Sequence, residues 1–201
     1  MSIIERLDLL FVNRTKRGEA RRREALSLFE ILSLPGRPHG IEIGCGQGIG
    51  TRILVERYGA HVAATDVDAG QVALARARLA DLGEGAVTYE KMDARELPLN
   101  DGSLDVACAF GVLHHIDPGW RKAVAEVGRV LKPGGCFVFI DWLMSESISR
   151  LIRKTITDWD VVDEPTLKET LEASGLAVRT FECESCWIGL MMKCRGVACK
   201  G

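Results

Sequence analysis

Four glycines at every second position, Gly44, Gly46, Gly48 and Gly50, follow the short run Ile41-Glu42-Ile43. Glycines let a backbone turn sharply and approach a ligand with no Cβ in the way. A helix predicted from Thr51 to Tyr58 would then aim its free N–H groups at that ligand. Strand, Gly-rich turn and helix form the usual nucleotide cradle of a doubly wound α/β fold. The spacing narrows the ligand. A dinucleotide fingerprint, Gly-x-Gly-x-x-Gly, would place its third glycine at position 49, where the chain has Ile49. The alternation disfavours NAD and points to a different adenosine cofactor.

Further candidates stand where later strands should end. Asp66 closes the second predicted strand, 22 residues after Gly44, and a carboxylate there can accept hydrogen bonds from both hydroxyls of a ribose. Asp93 closes the third and is followed by Ala94. A carboxylate beside a backbone N–H can read an adenine edge, the carboxylate accepting from the exocyclic amine and the N–H donating to the ring nitrogen next to it. The fourth runs into Phe110-Gly111-Val112-Leu113-His114-His115, a source of a wall and of polar groups at the reacting end. Each signal is weak alone; their order at successive strand ends is what carries weight.

The elements that must position these residues alternate. Strands are predicted at Gly40–Ile43, His61–Thr65, Val87–Met92, Leu104–Ala109 and Cys136–Ile140. Helices are predicted at Thr51–Tyr58, Ala69–Ala80 with Asp68 as N-cap, and Pro118–Val130. Helical segments Glu146–Ile156 and Pro165–Ala173, the latter closed by Gly175, precede final strands Ala177–Cys183 and Trp187–Cys194. Near-continuous apolar strands alternating with helices imply an α/β fold, a parallel sheet covered on both faces. Before it, residues 1–34 read as two helices joined near Asn13 to Gly18. Ile3, Ile4, Leu7, Leu10 and Phe11 form one apolar stripe, and a basic stretch from Arg14 to Arg23 follows.

Composition sets the outer bounds. At 201 residues, 47% apolar and 27% charged, the chain fits one globular domain with a full core. A net charge of −2 gives no general attraction to nucleic acid. No run of 18 apolar residues suggests a membrane span, and the first residues lack a secretory pattern, so a cytoplasmic location is the default expectation. The odd count of seven cysteines, with Cys45, Cys108 and Cys136 inside loop or core segments, predicts reduced thiols.

With these motifs in order, the chain resembles the class I S-adenosylmethionine-dependent methyltransferases, in the small-molecule group that includes the ubiquinone/menaquinone C-methyltransferases. Glu42 to Gly48 matches that family's first motif, Asp66 its acidic ribose ligand, Met92-Asp93-Ala94 its adenine-reading motif, Leu104-Asp105-Val106 through His115 its fourth strand and exit, and Arg129 to Gly135 its turn before strand five. The likeness covers about residues 38 to 141.

It implies a three-layer, doubly wound, mostly parallel seven-stranded sheet, Rossmann-like, with the last strand antiparallel and inserted beside its neighbour. Residues 1–36 would form a helical lid and 37–201 the cofactor-binding domain. S-adenosylmethionine would contact Glu42, Gly44, Cys45, Gly46, Gly48, Asp66, Val67, Asp93, Ala94 and Phe110. His115 is the candidate general base, since imidazole titrates near neutral pH, and His114 is assigned a structural role.

The methyl acceptor is expected to be small or lipid-like. No Asn/Asp-Pro-Pro-Tyr/Phe motif follows the fourth strand, against methylation of DNA adenines, and no Pro-Cys or Thr-Cys nucleophile sits there, against pyrimidine C5 chemistry. Phe11 and Trp142 are the expected acceptor contacts, with Met144, Ile148, Ile152 and Trp159 as further apolar lining. The stripe from Ile3 to Phe11 more simply packs over the cleft; the other reading is a peripheral membrane contact. Cys183, Cys186, Cys194 and Cys199 give a zinc-like count with irregular spacing, so no metal is assigned. Three rivals stay open: an NAD-dependent oxidoreductase, a non-catalytic adaptor on the same fold, and a metalloid (arsenite) acceptor held by the C-terminal cysteines.

Overall fold

The structure, a computed structural model, describes residues 15–116, 118–155, 160–186 and 190–201. Helix α1 (Thr15–Phe29) comes first. Then β1 (His39–Ile43), α2 (Ile49–Tyr58), β2 (His61–Asp66), α3 (Ala69–Arg78), β3 (Val87–Lys91) and β4 (Leu104–Phe110) alternate along the chain. A short 3-10 turn, Leu113–His115, leads to α4 (Trp120–Val130), β5 (Leu131–Met144), α5 (Glu146–Thr155), α6 (Glu164–Ala173), β6 (Leu176–Cys186) and β7 (Met191–Lys200). The seven strands form one sheet in the order β3-β2-β1-β4-β5-β7-β6. β7 lies between β5 and β6 and is antiparallel to both; the other pairings are parallel. The chain therefore has the inserted final strand that the resemblance implied.

Alternation along the central strands sends successive side chains to opposite faces. Ala107, Ala109, Phe137 and Phe139 meet α4 and α6 through Trp120, Val124, Val127, Leu167 and Leu171. Val106, Cys108, Phe110, Val138 and Ile140 meet α1 and α2 through Ala25, Leu28, Phe29, Ile53 and Leu54. Helices on both faces make three layers. α1 belongs to this core and is also tied to its surface: Arg22 pairs with Glu56 of α2 at 2.6 Å, and Glu24 pairs with Lys193 of β7.

Several boundaries differ from expectation, each for a local reason. α2 begins at Ile49 instead of Thr51, because Gly48 in a left-handed conformation caps it and its carbonyl accepts from Arg52 N at 3.0 Å. β5 extends well past Cys136–Ile140. At its start Leu131 pairs with Leu104, with residues 132–135 bulged out; beyond Ile140 it goes on pairing with β7, to Met144 opposite Met191. The final strand was expected at Trp187–Cys194 but runs Met191–Lys200. Gly196 looks like a strand breaker in sequence, yet a Cβ there would come within 2.7 Å of the Phe139 ring, so glycine is what lets β7 lie against its neighbours.

The cysteine expectation is corrected. Cys136–Cys199 and Cys183–Cys194 form disulfides; Cys45, Cys108 and Cys186 are free. Register explains the pairing: with β7 inserted, Cys199 stands opposite Cys136 on one side and Cys194 opposite Cys183 on the other. Among the described residues, no helix is long and apolar enough to cross a membrane.

Candidate functional site

A cavity of about 520 Å³ opens at the carboxyl ends of β1, β2 and β4, within the size range of small-ligand sites. One wall is the glycine loop. Gly44 takes φ 61°, and a Cβ there would press within 2.5 Å of Val112, so the loop can lie this close to the β4 exit only as glycine. A Cβ at Gly46 would meet nothing nearer than the Gly44 carbonyl at 3.8 Å, so a side chain there would fill the cavity instead.

Glu42 is buried beneath this loop. Its carboxylate accepts from Gly50 N (2.9 Å), Thr51 N (2.8 Å) and Thr51 Oγ1 (2.7 Å), all in the first turn of α2. The negative charge thereby answers the helix N-terminus. Burial pushes its pKa up to about 7, against the pull of those hydrogen bonds and of Arg21. Glu42 thus holds the loop in shape while also lining the cavity.

Asp66 and Asp68 line the opposite side, with Val67 between them. Asp66 accepts from Asp68 N at 3.0 Å, and burial raises its pKa. Hydroxyl donors would relieve that buried charge. Further along stand Asp93 and Ala94. Here the structure adds a partner: Arg95 grips the Asp93 carboxylate through Nε (3.0 and 3.1 Å), Nη2 (2.7 Å) and its backbone N (2.9 Å), and reaches Pro118 O at 3.2 Å. The Arg95 hydrogen bonds hold the Asp93 pKa below the ordinary carboxylate range. Asp93 is therefore a charged acceptor already shared with an arginine.

The last wall is the exit of β4. Phe110, Gly111, Val112 and His115 line the cavity, and Arg21 descends onto it from α1. Arg21 Nη1 donates to Phe110 O at 3.4 Å, and its guanidinium lies 4.8 Å from the centre of a Trp142 ring. Behind this exit sits Asp141, fully buried on β5. It accepts from Val112 N (3.1 Å), Leu113 N (2.7 Å) and Trp142 N (2.8 Å), and it contacts His114 through Nδ1. Burial alone would raise its pKa; the His114 charge and these hydrogen bonds outweigh burial and lower it.

The sequence-predicted residues Glu42, Gly44, Cys45, Gly46, Asp66, Val67, Asp93, Ala94, Phe110 and His115 all meet in this cavity. Gly48 does not line it: Gly48 caps α2 and packs against Leu79, where a Cβ would come within 2.6 Å. Trp142 lies outside it, in a neighbouring cavity with His114. Phe11, the rest of its apolar stripe and Trp159 lie outside the described residues. Arg21, Arg95 and Asp141 were missed. Asp141 was within reach of the same reasoning, since it ends the parallel part of its strand as Asp66 and Asp93 do.

The residues fit an adenosyl sulfonium amino acid. The cavity is large enough, the Gly46 position is open to it, and acidic side chains stand where hydroxyl and amine donors would fall. Comparisons with known proteins agree. A family described as methyltransferase domain matches residues 41–139. A demethylmenaquinone methyltransferase from Clavibacter sepedonicus is 28% identical over 183 residues, 78% of this chain and 72% of that one. The 27-O-demethylrifamycin SV methyltransferase of Amycolatopsis mediterranei is 34% identical over 131 residues, covering 64% of this chain and 47% of its own. The chain spans less than half the length of several other matching relatives. Among solved structures, the [4+2]-cyclase SpnF superposes with a TM-score of 0.76 at 20% identity, over 90% of this chain and 81% of its own; that likeness speaks for the fold alone. Fold, glycine loop and matched family together make this chain a class I S-adenosylmethionine-dependent methyltransferase that resembles the quinone methyltransferases.

Proposed function

We propose that the protein transfers the methyl group of S-adenosylmethionine, in line, to a small or lipid-like acceptor at the β4–β5 end of the cavity. The observation that carries this is the single cavity that brings the glycine loop, Asp66, Asp93-Ala94 and Phe110 together in order. S-adenosylmethionine, when bound, supplies an electrophilic methyl on a sulfonium; the chain's own task is positioning. Asp66 holds the ribose hydroxyls. Asp93 and the Ala94 N–H read the adenine edge, with Arg95 keeping Asp93 charged and fixed. The Gly44 and Phe110 carbonyls accept from the methionine ammonium, and Glu42 keeps that end rigid. The relatives' own acceptors, a quinone ring in one case and a rifamycin in the other by their names, support an acceptor with a large apolar body.

His115, which lines the cofactor cavity, is the candidate for the group that takes the acceptor's proton, whereas His114 faces the neighbouring cavity and supports the β4 exit through Asp141. His114 is the histidine whose ring is oriented by a buried carboxylate, Asp141, itself fixed by three backbone N–H groups. Asp141 is then a positioning residue.

Calorimetric titration with S-adenosylhomocysteine, with NADH as control, tests the cofactor: micromolar binding of the first alone is expected, and binding of NADH alone would overturn the assignment. With an acceptor in hand, His115→Ala should lower kcat far more than His114→Ala. The reverse order would move the base to His114.

A further inference from the structure

A surface helix usually turns its apolar stripe to the core and its polar face outward. Helix α5 does the reverse. Residues four apart form rows along a helix. The row Ser149–Arg153 faces inward: Ser149 is fully buried and its Oγ bonds Asp163, and Arg153 Nη1 meets the same carboxylate at 2.8 Å. The attachment to the body is thus polar. The apolar residues stand in the rows that follow. Ile148 and Ile152 are half-buried, and Leu151 beyond them is 58% exposed. Among the described residues, no apolar cluster of the core takes in any of the three. Next comes the exposed row Glu146–Arg150–Lys154. Leu190, 48% exposed, lies beside the start of α5, where its carbonyl accepts from Ser145 N at 3.0 Å.

We propose that α5 and the turn at Leu190 seat the protein on the surface of an anionic bilayer. Leu151 and Leu190 enter the boundary between headgroups and acyl chains, and Lys154 and Arg150 lie among the headgroups. Charge chooses lipid as the occupant. α5 carries Arg150, Arg153 and Lys154 against Glu146 alone, although the whole chain has a net charge of −2. The attraction for anions is therefore local to this face. Lys154 meets no carboxylate among the described residues, and the exposed pair of Arg150 with Glu146 neutralises little. Lys154 and Leu151 are three residues apart and so are neighbours on the helix surface. An apolar row bordered by cations is what an interfacial helix presents to anionic lipid. A protein partner would fit this face less well, since lysine is depleted where proteins meet and broad aromatic anchors are enriched there. The contact stands whether or not the cofactor cavity transfers methyl groups.

Sedimentation of the full chain with vesicles tests this. Vesicles of equal parts phosphatidylglycerol and phosphatidylcholine should carry the protein down, vesicles of phosphatidylcholine alone should not, and added salt should release it. Leu151→Glu should abolish binding. Leu190→Ala should weaken it by roughly tenfold, the scale of one large apolar side chain withdrawn from lipid. Lys154→Gln should weaken it by about fivefold, the scale of one basic residue at an anionic surface. All three side chains are exposed, so the variants should melt as the unaltered protein does, which separates lost binding from lost fold. No sedimentation with the anionic vesicles overturns the proposal, and equal sedimentation with both kinds removes the anionic headgroup. Binding that survives Leu151→Glu but is lost in Phe11→Glu moves the contact to the N-terminal stripe. A dimer by light scattering that Leu151→Glu turns into a monomer makes a second copy the occupant instead.

Discussion

Two buried carboxylates in the site respond to pH in opposite senses. Glu42 has its pKa raised by burial to about 7, above its unfolded value, so its contribution to stability is fully present in acid and is lost as pH rises through 7. Asp141 has its pKa lowered, so its contribution is present above the ordinary carboxylate range and is lost as pH falls below it. Urea denaturation of Glu42→Gln and of the unaltered protein should therefore give stabilities whose difference shifts in favour of the variant between pH 5 and 7.5, by up to about 3 kcal/mol. A flat difference would mean Glu42 titrates normally. Asp66→Ala should weaken S-adenosylhomocysteine binding by about 1–3 kcal/mol, the scale of charge-assisted hydrogen bonds; unchanged affinity in calorimetry would remove the ribose contact. At this scale the residues that meet in the cavity were legible in the sequence because each follows a strand end or belongs to a spaced motif. The sequence did not reveal Arg21 or the His114–Asp141 pair. Those depend on which side chains from distant elements converge, and neither spacing nor residue type encodes that convergence.

Among the elements, α1 has two jobs along its length. Phe29 is fully buried and meets Phe110 edge to face at 6.3 Å, whereas Arg21, two turns earlier, lies over the cavity. Phe29→Ala should cost about 3–5 kcal/mol in chemical denaturation, the usual scale for a buried aromatic cut to alanine. A loss under 1 kcal/mol would show that α1 is only loosely seated. The central elements were legible because β1, β2 and β4 are apolar runs bounded by clear turn signals. β7 was not. Its two methionines, Lys193, Arg195 and Gly196 carry no strand signature of their own, and only the antiparallel neighbours on both sides make it a strand.

For the molecule as a whole, two disulfides flank β7, and seven cysteines leave three free thiols. Burial pushes the Cys45 thiol up to about 12 and raises Cys108 well above the ordinary range, while Cys186 is half-exposed. A thiol reagent should thus count one cysteine in the native protein and three after unfolding without reductant. Seven after unfolding would restore the expected reduced thiols and the reducing compartment that goes with them. The position of β7 also bears on how the protein is made. Translation delivers β6 before the one strand that pairs with it, and β5 meanwhile presents an open edge on the side β7 will fill. A nascent chain that ends near Cys186 therefore carries two unsatisfied strand edges, each a template for pairing with another chain. The sheet closes only when β7 has emerged, which makes the interval between synthesis of β6 and of β7 the moment at which these edges most need shielding.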